Sequence, residues 1–290
     1  QLKRDFWCFP EVCRVLHLST RLPKRLQLVP RGLQRPMAHA VAADFHVKLA
    51  QTAEELRAAQ RLRYQVFVTE LGGGGAMVDH DAGLEQDDLD PFFDHLLLYD
   101  QRTGAVVGVY RLMRAEKARE AGRFYSEGEY DLGPLLTSGR RILELGRSCL
   151  HPDYRGGMAM HHLWSALAQY VAEYHIEVLF GVASFHGTEI AALAQPLSLL
   201  HHRHLAPPEL RVRALEKSFQ NMNLIDEANL DRRAAMLRIP SLIKAYLRLG
   251  GCVGEGAYID HAFNTVDVCL IMDTQQMSAR QARIYGGVPQ

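Results

Sequence analysis

The chain has 290 residues, 48% of them hydrophobic, enough to bury a full core as one large domain or as a domain with an insert. Thirty-three basic residues balance thirty-three acidic ones, so there is no bulk nucleic-acid signature, and no apolar run approaches the roughly 18 residues that span a bilayer. Five cysteines (Cys8, Cys13, Cys149, Cys252, Cys269) form neither a metal-ligand spacing nor an even framework, which points to a reduced, cytoplasmic compartment.

Residues 1–40 hold eight Lys or Arg against Asp5 and Glu11, a balance of +6, while residues 41–290 carry −6. Weak hydrophobic periodicity and the lack of a small-residue cleavage site leave three readings for 1–44: a disordered basic tail, sequence upstream of a natural start at Met37, or a membrane-surface anchor. The first two are favoured. From Phe45 the pattern becomes regular, with a first strand over Phe45–Leu49. Thr52 and Glu55 form a capping-box pair before a helical run from Leu56 to Leu71, which Gly72–Gly75 break.

The loop from Val78 to Phe93 contains Asp79, Asp81, Glu85, Asp87, Asp88 and Asp90 and no Lys or Arg. A solvated surface and a recognition lid for a cationic substrate both fit it; the spacing of a calcium-binding EF-hand is absent. His95–Tyr99 and Ala105–Met113 read as a hairpin closed near Gly104, and residues 115–139 as an irregular stretch anchored by Phe124, Tyr125 and Tyr130.

Residues 140–174 organise the chain. Ile142–Leu150 alternates as a strand, His151-Pro152-Asp153-Tyr154-Arg155-Gly156-Gly157 is a turn, and Leu163, Trp164, Leu167, Tyr170, Val171 and Tyr174 are spaced for one helix face. A strand feeding a helix through such a turn leaves backbone N–H groups free at the helix start, where phosphate binds well. An ordinary strand-to-helix connection fits the spacing equally. Val178–Ser184 is a further buried strand; residues about 189–240 form a helical insert with a Pro207-Pro208 stop; Leu242–Leu249 is a short helix; Cys252–Ile259 and Val266–Met272 are the last strands, before a tail over 276–290. The mixture implies an α/β fold around one mostly antiparallel sheet, occupying 45–275.

"HPDYRGG" after a charged strand resembles the acyl-donor turn of the GNAT acyltransferases, with Arg155 and Ala159 in the outer positions and Met158 where an inner glycine is usual. Loss of that glycine implies a donor that carries a phosphopantetheine arm without a nucleotide, as acyl carrier protein does. Over Phe45–Asp273 the likeness narrows. "RYQVF", "VVGVYRL", "LELGRSCLHPDYRGG", "LFGVASFHGTE", "LRIPSLIKAYLRLGG" and "FNTVDVCLIMD" resemble the L-ornithine N-alpha-acyltransferases of ornithine-lipid synthesis. The N-acylhomoserine lactone synthases share a sparser pattern at Arg63/Phe67, Asp88/Asp90, Arg111/Leu112 and Glu144/Arg147.

The resemblance implies a GNAT-like fold and transfer of a 3-hydroxyacyl chain from acyl carrier protein to the α-amine of L-ornithine. A homoserine-lactone synthase, a CoA-dependent N-acetyltransferase and a non-catalytic, membrane-peripheral acyl-carrier-binding module are the alternatives. No cofactor beyond the carrier's thioester and no metal is expected; the His161-His162 and His201-His202 patches lack carboxylate partners at consistent spacing. Location is expected in the cytoplasm, with peripheral contact to the inner membrane left open.

Glu144 is the expected base, with Arg147 beside it among the catalytic residues and a structural Glu144–Arg147 pair as the alternative. His186 is placed at the acyl hydroxyl or leaving thiolate, or else as a structural histidine. Arg63 and Arg111 either grip the substrate carboxylate or tie the acidic loop down, with Phe67, Asp88 and Asp90 completing the acceptor site. Cys149, Leu150, Arg155, Gly156 and Gly157 are assigned to the donor. Backbone N–H groups near Cys149–Leu150 would meet an oxyanion if the strand bulges, and Cys149 as a covalent nucleophile is disfavoured. Arg140, Arg141, Arg155, Arg203, Arg211 and Arg213 are expected to dock acidic acyl carrier protein.

Overall fold

The computed structural model describes residues 44–76 and 78–277. The expected N-terminal extension, Asp44 apart, and the tail, Gln276 and Met277 apart, lie outside those residues.

Period-two patterning builds the sheet. Its main strands are β1 (Phe45–Leu49), β2 (Asp94–Asp100), β3 (Ala105–Arg114), β4 (Ile142–Leu150), β5 (Val178–His186), β6 (Ala257–Asp260) and β7 (Thr265–Asp273). They lie in the order β1-β2-β3-β4-β5-β7-β6, with Phe219–Gln220 beyond β6 and Cys252–Val253 beside β7. All neighbours are antiparallel except β4 and β5. Leu96 and Leu98 face one layer, where α3 (Ala159–Glu173) presents Leu163, Leu167 and Tyr170. Leu97, between them, faces the other layer with Val109 and Cys149, against Ala59, Leu62 and Val66 from α1 (Ala53–Arg63) and the coil after it. Each large apolar side chain sealed this way contributes about 1.5–3 kcal/mol.

The expected cap on α1 is present: Thr52 Oγ1 accepts the Glu55 N–H at 3.2 Å. The helix widens into a π-type coil over Tyr64–Glu70 before the glycines end it. Residues 115–139 are more ordered than their polarity suggests, holding α2 (Ala115–Ala121) and a single turn, Gly133–Thr137. The insert is only partly helical. After α4 (Ile190–His204), residues 205–231 run as turns and short strands, until Asp231 caps α5 (Arg232–Arg238) through the Arg233 and Ala234 N–H groups. Pro240 precedes α6 (Ser241–Arg248). The expected strand over Cys252–Ile259 is split by Gly254 and Gly256, so that Cys252–Val253 and β6 pair separately with β7. Among the described residues no helix is long and apolar enough to cross a membrane.

Two irregularities position the site. β3 and β4 lose register between Val109–Cys149 and Arg111–Gly146, so Arg147 and Ser148 oppose Tyr110 alone. Arg147 takes φ 50°, a left-handed conformation costly for a side-chain-bearing residue, and the strand bulges there. β4 and β5, meanwhile, pair only from Ile142–Val178 to Glu144–Phe180 and then part. At the parting, a Cβ on Gly181 would lie 2.1 Å from the Leu145 carbonyl oxygen, so only glycine permits the approach. The cleft beyond is apolar, lined by Leu145, Val182, Ala183, Leu242, Tyr246 and Leu270 among others.

Candidate active site

Three buried or half-buried arginines hold the acidic loop. Arg63 is fully buried and binds Asp90 through Nη1 (2.7 Å) and Nη2 (3.1 Å) and Glu85 through Nε. Arg111, also fully buried, donates Nη1 to Asp87 (2.7 Å) and Asp90 (2.8 Å) and lies 4.0 Å from the Phe93 ring centre. Arg147 reaches from the bulge to Glu85 Oε1 at 3.0 Å and sits 4.6 Å from the Tyr125 ring centre. Burial alone would push the Asp90 carboxyl up; Arg63 and Arg111 outweigh it and hold Asp90 far below the ordinary carboxylate range. Of the two roles expected for Arg63 and Arg111, tying the loop down is the one seen.

Asp88 and Asp90 therefore separate. Asp90 is internal, taken up by Arg63, Arg111 and Gln60, and is closed to a substrate. Asp88 is exposed and pairs with Arg123 at 2.8 Å. Phe67 is half-buried among the residues packed against α1 rather than forming an open wall.

Glu144 is 1% exposed and its partners are three donors: the Tyr125 N–H (2.9 Å), the Ser126 N–H (2.6 Å) and the Ser126 hydroxyl (2.5 Å). Arg147 is not among them; in place of the alternative Glu144–Arg147 pair, Arg147 binds Glu85. Burial raises the Glu144 carboxyl above its ordinary value, and the Ser126 and Tyr125 bonds work against that rise. The turn that Glu144 fastens, Tyr125–Gly128, leads into Glu129.

Tyr125, Gly128 and Glu129 form one wall of a cavity of about 460 Å³, closed by Gln86, Asp87, Asp88 and Arg123 from one side and Tyr258 and Asp260 from the other. Glu129 and Asp260, which line the cavity, and the buried Asp267 beside them bring carboxylate oxygens within 4.8 Å of one another. Burial, then Asp267 and Asp260, push Glu129 well above the usual carboxylate range, and burial lifts Asp267 to about 6. None of these three was expected from the sequence. A signal was present at Asp267, a carboxylate set between Val266 and Val268 inside an otherwise apolar strand that ends at Asp273.

At the donor turn, Arg155 points inward. It holds Glu70 with Nη1 (2.5 Å) and Nη2 (2.6 Å) and the Leu150 carbonyl with Nε (3.1 Å), so the residue expected to dock the donor is engaged within the chain. Gly156 adopts φ 77° and is exposed with Gly157, and α3 opens at Met158 with no side-chain cap. Several other docking arginines are likewise paired: Arg140 with Asp273, Arg203 with Glu227, Arg213 with Glu216. Leu150 is buried in the core. Cys149 is 2% exposed with its thiol pushed up to about 12 by burial, unsuited to nucleophilic attack. His186 is exposed at the end of β5, opposite Thr265 and away from Glu144's end of that strand.

Comparison with known proteins adds the following. The family model of the acetyltransferase (GNAT) domain matches residues 62–165. An L-ornithine N(alpha)-acyltransferase of Rhodobacter capsulatus is 58% identical over 251 residues, covering 85% of this chain and 96% of that protein. One from Brucella abortus is 41% identical over 250 residues, covering 84% and 89%. Among solved structures, an N-acyl amino acid synthase from uncultured soil microbes superposes with a TM-score of 0.47 at 12% identity, covering 81% of this chain and 93% of that one.

Proposed function

Because this chain belongs to the family of L-ornithine N(alpha)-acyltransferases, we propose that it moves a 3-hydroxyacyl chain from the phosphopantetheine thioester of acyl carrier protein to the α-amine of L-ornithine, giving lyso-ornithine lipid. The observation that carries this reading is the acidic cavity of about 460 Å³ beside the β4 bulge. It has the size for an amino acid and the charge for one with a cationic side chain.

In the reaction the α-ammonium first loses a proton. Its ordinary pKa is roughly 8, so a weak base suffices. The nitrogen lone pair then attacks the thioester carbonyl; the C–N bond forms, the C–S bond breaks and the thiolate leaves with a proton. β4 has no ladder partner on its β5 side beyond Glu144, which supports a role at the oxyanion for backbone N–H groups along that side. The cleft between the parted strands is apolar but only about 30 Å³, so it would have to widen to take the acyl chain. Glu144 acts in this account as a positioning residue, because three donors already occupy its carboxylate and the turn it holds shapes the cavity.

Acyl carrier protein is favoured over CoA as donor because Met158, 53% exposed, stands where a glycine would let a pyrophosphate approach. The amphiphilic product fits peripheral contact with the cytoplasmic membrane surface, and exposed Met236 and Leu237 on α5 support it. Purified protein given equal 3-hydroxyacyl carrier protein and 3-hydroxyacyl-CoA, with ornithine, tests the donor. Acylation mainly from the carrier is expected; equal rates from CoA would overturn it.

A further inference from the structure

Acidic side chains around the cavity divide into two sets. Glu85, Asp87 and Asp90 meet Arg63, Arg111 and Arg147, and Asp88 meets Arg123. Glu129, Asp260 and Asp267 form no ion pair with a Lys or Arg among the described residues. Asp260 Oδ1 accepts the Ala262 and Phe263 N–H groups, and Asp267 Oδ2 accepts the Thr265 hydroxyl. Glu129 Oε2 and Asp267 Oδ1 have no hydrogen-bond partner, although the residues are only 7% and 4% exposed. Leaving a buried carboxylate oxygen unsatisfied costs more than leaving a neutral acceptor so, and three carboxylates together add mutual repulsion. Glu129 and Asp260 line the cavity and Asp267 lies within reach of both, so this arrangement has an incomplete charge balance that a cation entering the cavity would complete.

We propose that Glu129, Asp260 and Asp267 form the subsite for the δ-ammonium group of the acceptor, a deepening that rests on the ornithine reading above. The geometry suits a primary ammonium. Oxygens at most 4.8 Å apart leave a point no more than about 2.8 Å from each, within reach of N–H···O bonds to charged acceptors. An ammonium carries three N–H donors and meets three acceptors there, whereas a guanidinium is planar and forked. Magnesium needs a near-ideal octahedron of oxygens at about 2.0–2.1 Å, of which this cluster supplies three side chains. Burial and mutual repulsion, which raise the Glu129 and Asp267 carboxyls, are the strains an ammonium would relieve. The loop acids are thereby excluded as the main selectors, since their charges are already matched.

Ornithine and norvaline differ only in the terminal ammonium, so their competition reads the subsite. With the full chain and 3-hydroxyacyl carrier protein, the wild type is expected to favour ornithine in kcat/KM. In Glu129→Gln and Asp267→Asn that preference falls tenfold or more, mostly through KM for ornithine. Binding calorimetry on the wild type, independent of any variant, should show ornithine at least tenfold tighter than norvaline. A wild-type preference that both variants keep would overturn the subsite and leave the ornithine reading standing. Equal use of the two acceptors by the wild type would overturn the ornithine reading itself. Micromolar binding of magnesium or calcium that ornithine cannot displace would replace the ammonium subsite with a metal site.

Discussion

Glu144 Oε1 accepts both the amide and the hydroxyl of Ser126, at 2.6 and 2.5 Å, so a carboxylate inside the sheet fixes a turn that carries the cavity wall. The same carboxylate takes the Tyr125 N–H on its other oxygen, and Tyr125 and Glu129 face the cavity on either side of that anchor. Glu144→Gln sets an amide N–H₂ among converging donors. Stability should fall by about 1–3 kcal/mol, with kcat reduced and the pH–rate profile unchanged in shape. Stopped assays across pH 6–9 check this; loss of the acidic limb of the profile would make Glu144 the proton acceptor.

Removing Arg63 leaves Glu85 and Asp90 buried and uncompensated. Arg63→Ala should cost about 3–5 kcal/mol in urea unfolding. Asp88→Asn, which touches an exposed pair with Arg123, should cost less than about 1 kcal/mol. Similar losses from the two changes would contradict the division between internal and exposed loop acids.

That division shows what the sequence could and could not reveal. The hairpin of β2 and β3 and the β4–turn–α3 unit were legible, because alternation, a turn and a helical face follow one another within short stretches. Asp88 and Asp90 look equivalent in sequence. Their fates differ because Asp90 opens a tight turn under Arg63 and Arg111, while Asp88 stays outside it. Glu129, Asp260 and Asp267 were invisible as a group, since more than a hundred residues separate the first from the others and only the β7–β6 pairing and the Glu144-anchored turn unite them. The pairing of Arg155 was illegible for a similar reason: its partner Glu70 comes from the far end of the α1 extension.

Cys149 should be chemically silent. With its thiol pushed up to about 12 and buried, native protein should resist alkylation at Cys149 at pH 8, and Cys149→Ala should keep at least half the turnover. A trapped acyl-thioester at Cys149, seen by intact mass, would refute direct transfer.

Asp267 links the site to pH. Its folded pKa, about 6, lies above the ordinary 3.8, so the folded state holds a proton that the unfolded chain gives up between those values. Its contribution to stability is therefore fully present below about pH 4 and lost as pH rises through 6. Asp267→Asn should raise stability at pH 7.5 by up to about 3 kcal/mol and change it little at pH 4. Thermal melts at the two pH values check the sign; stabilisation confined to pH 4 would contradict it.

The central claim is that the acceptor enters with its side-chain ammonium toward the carboxylates and its α-amine toward the thioester. Tandem mass spectrometry of the product from 3-hydroxyacyl carrier protein and ornithine tests it most directly, because fragments distinguish the two nitrogens. The account predicts acylation at the α-nitrogen alone. A product acylated at the δ-nitrogen, or no acylated ornithine with folded protein and intact donor, would contradict it.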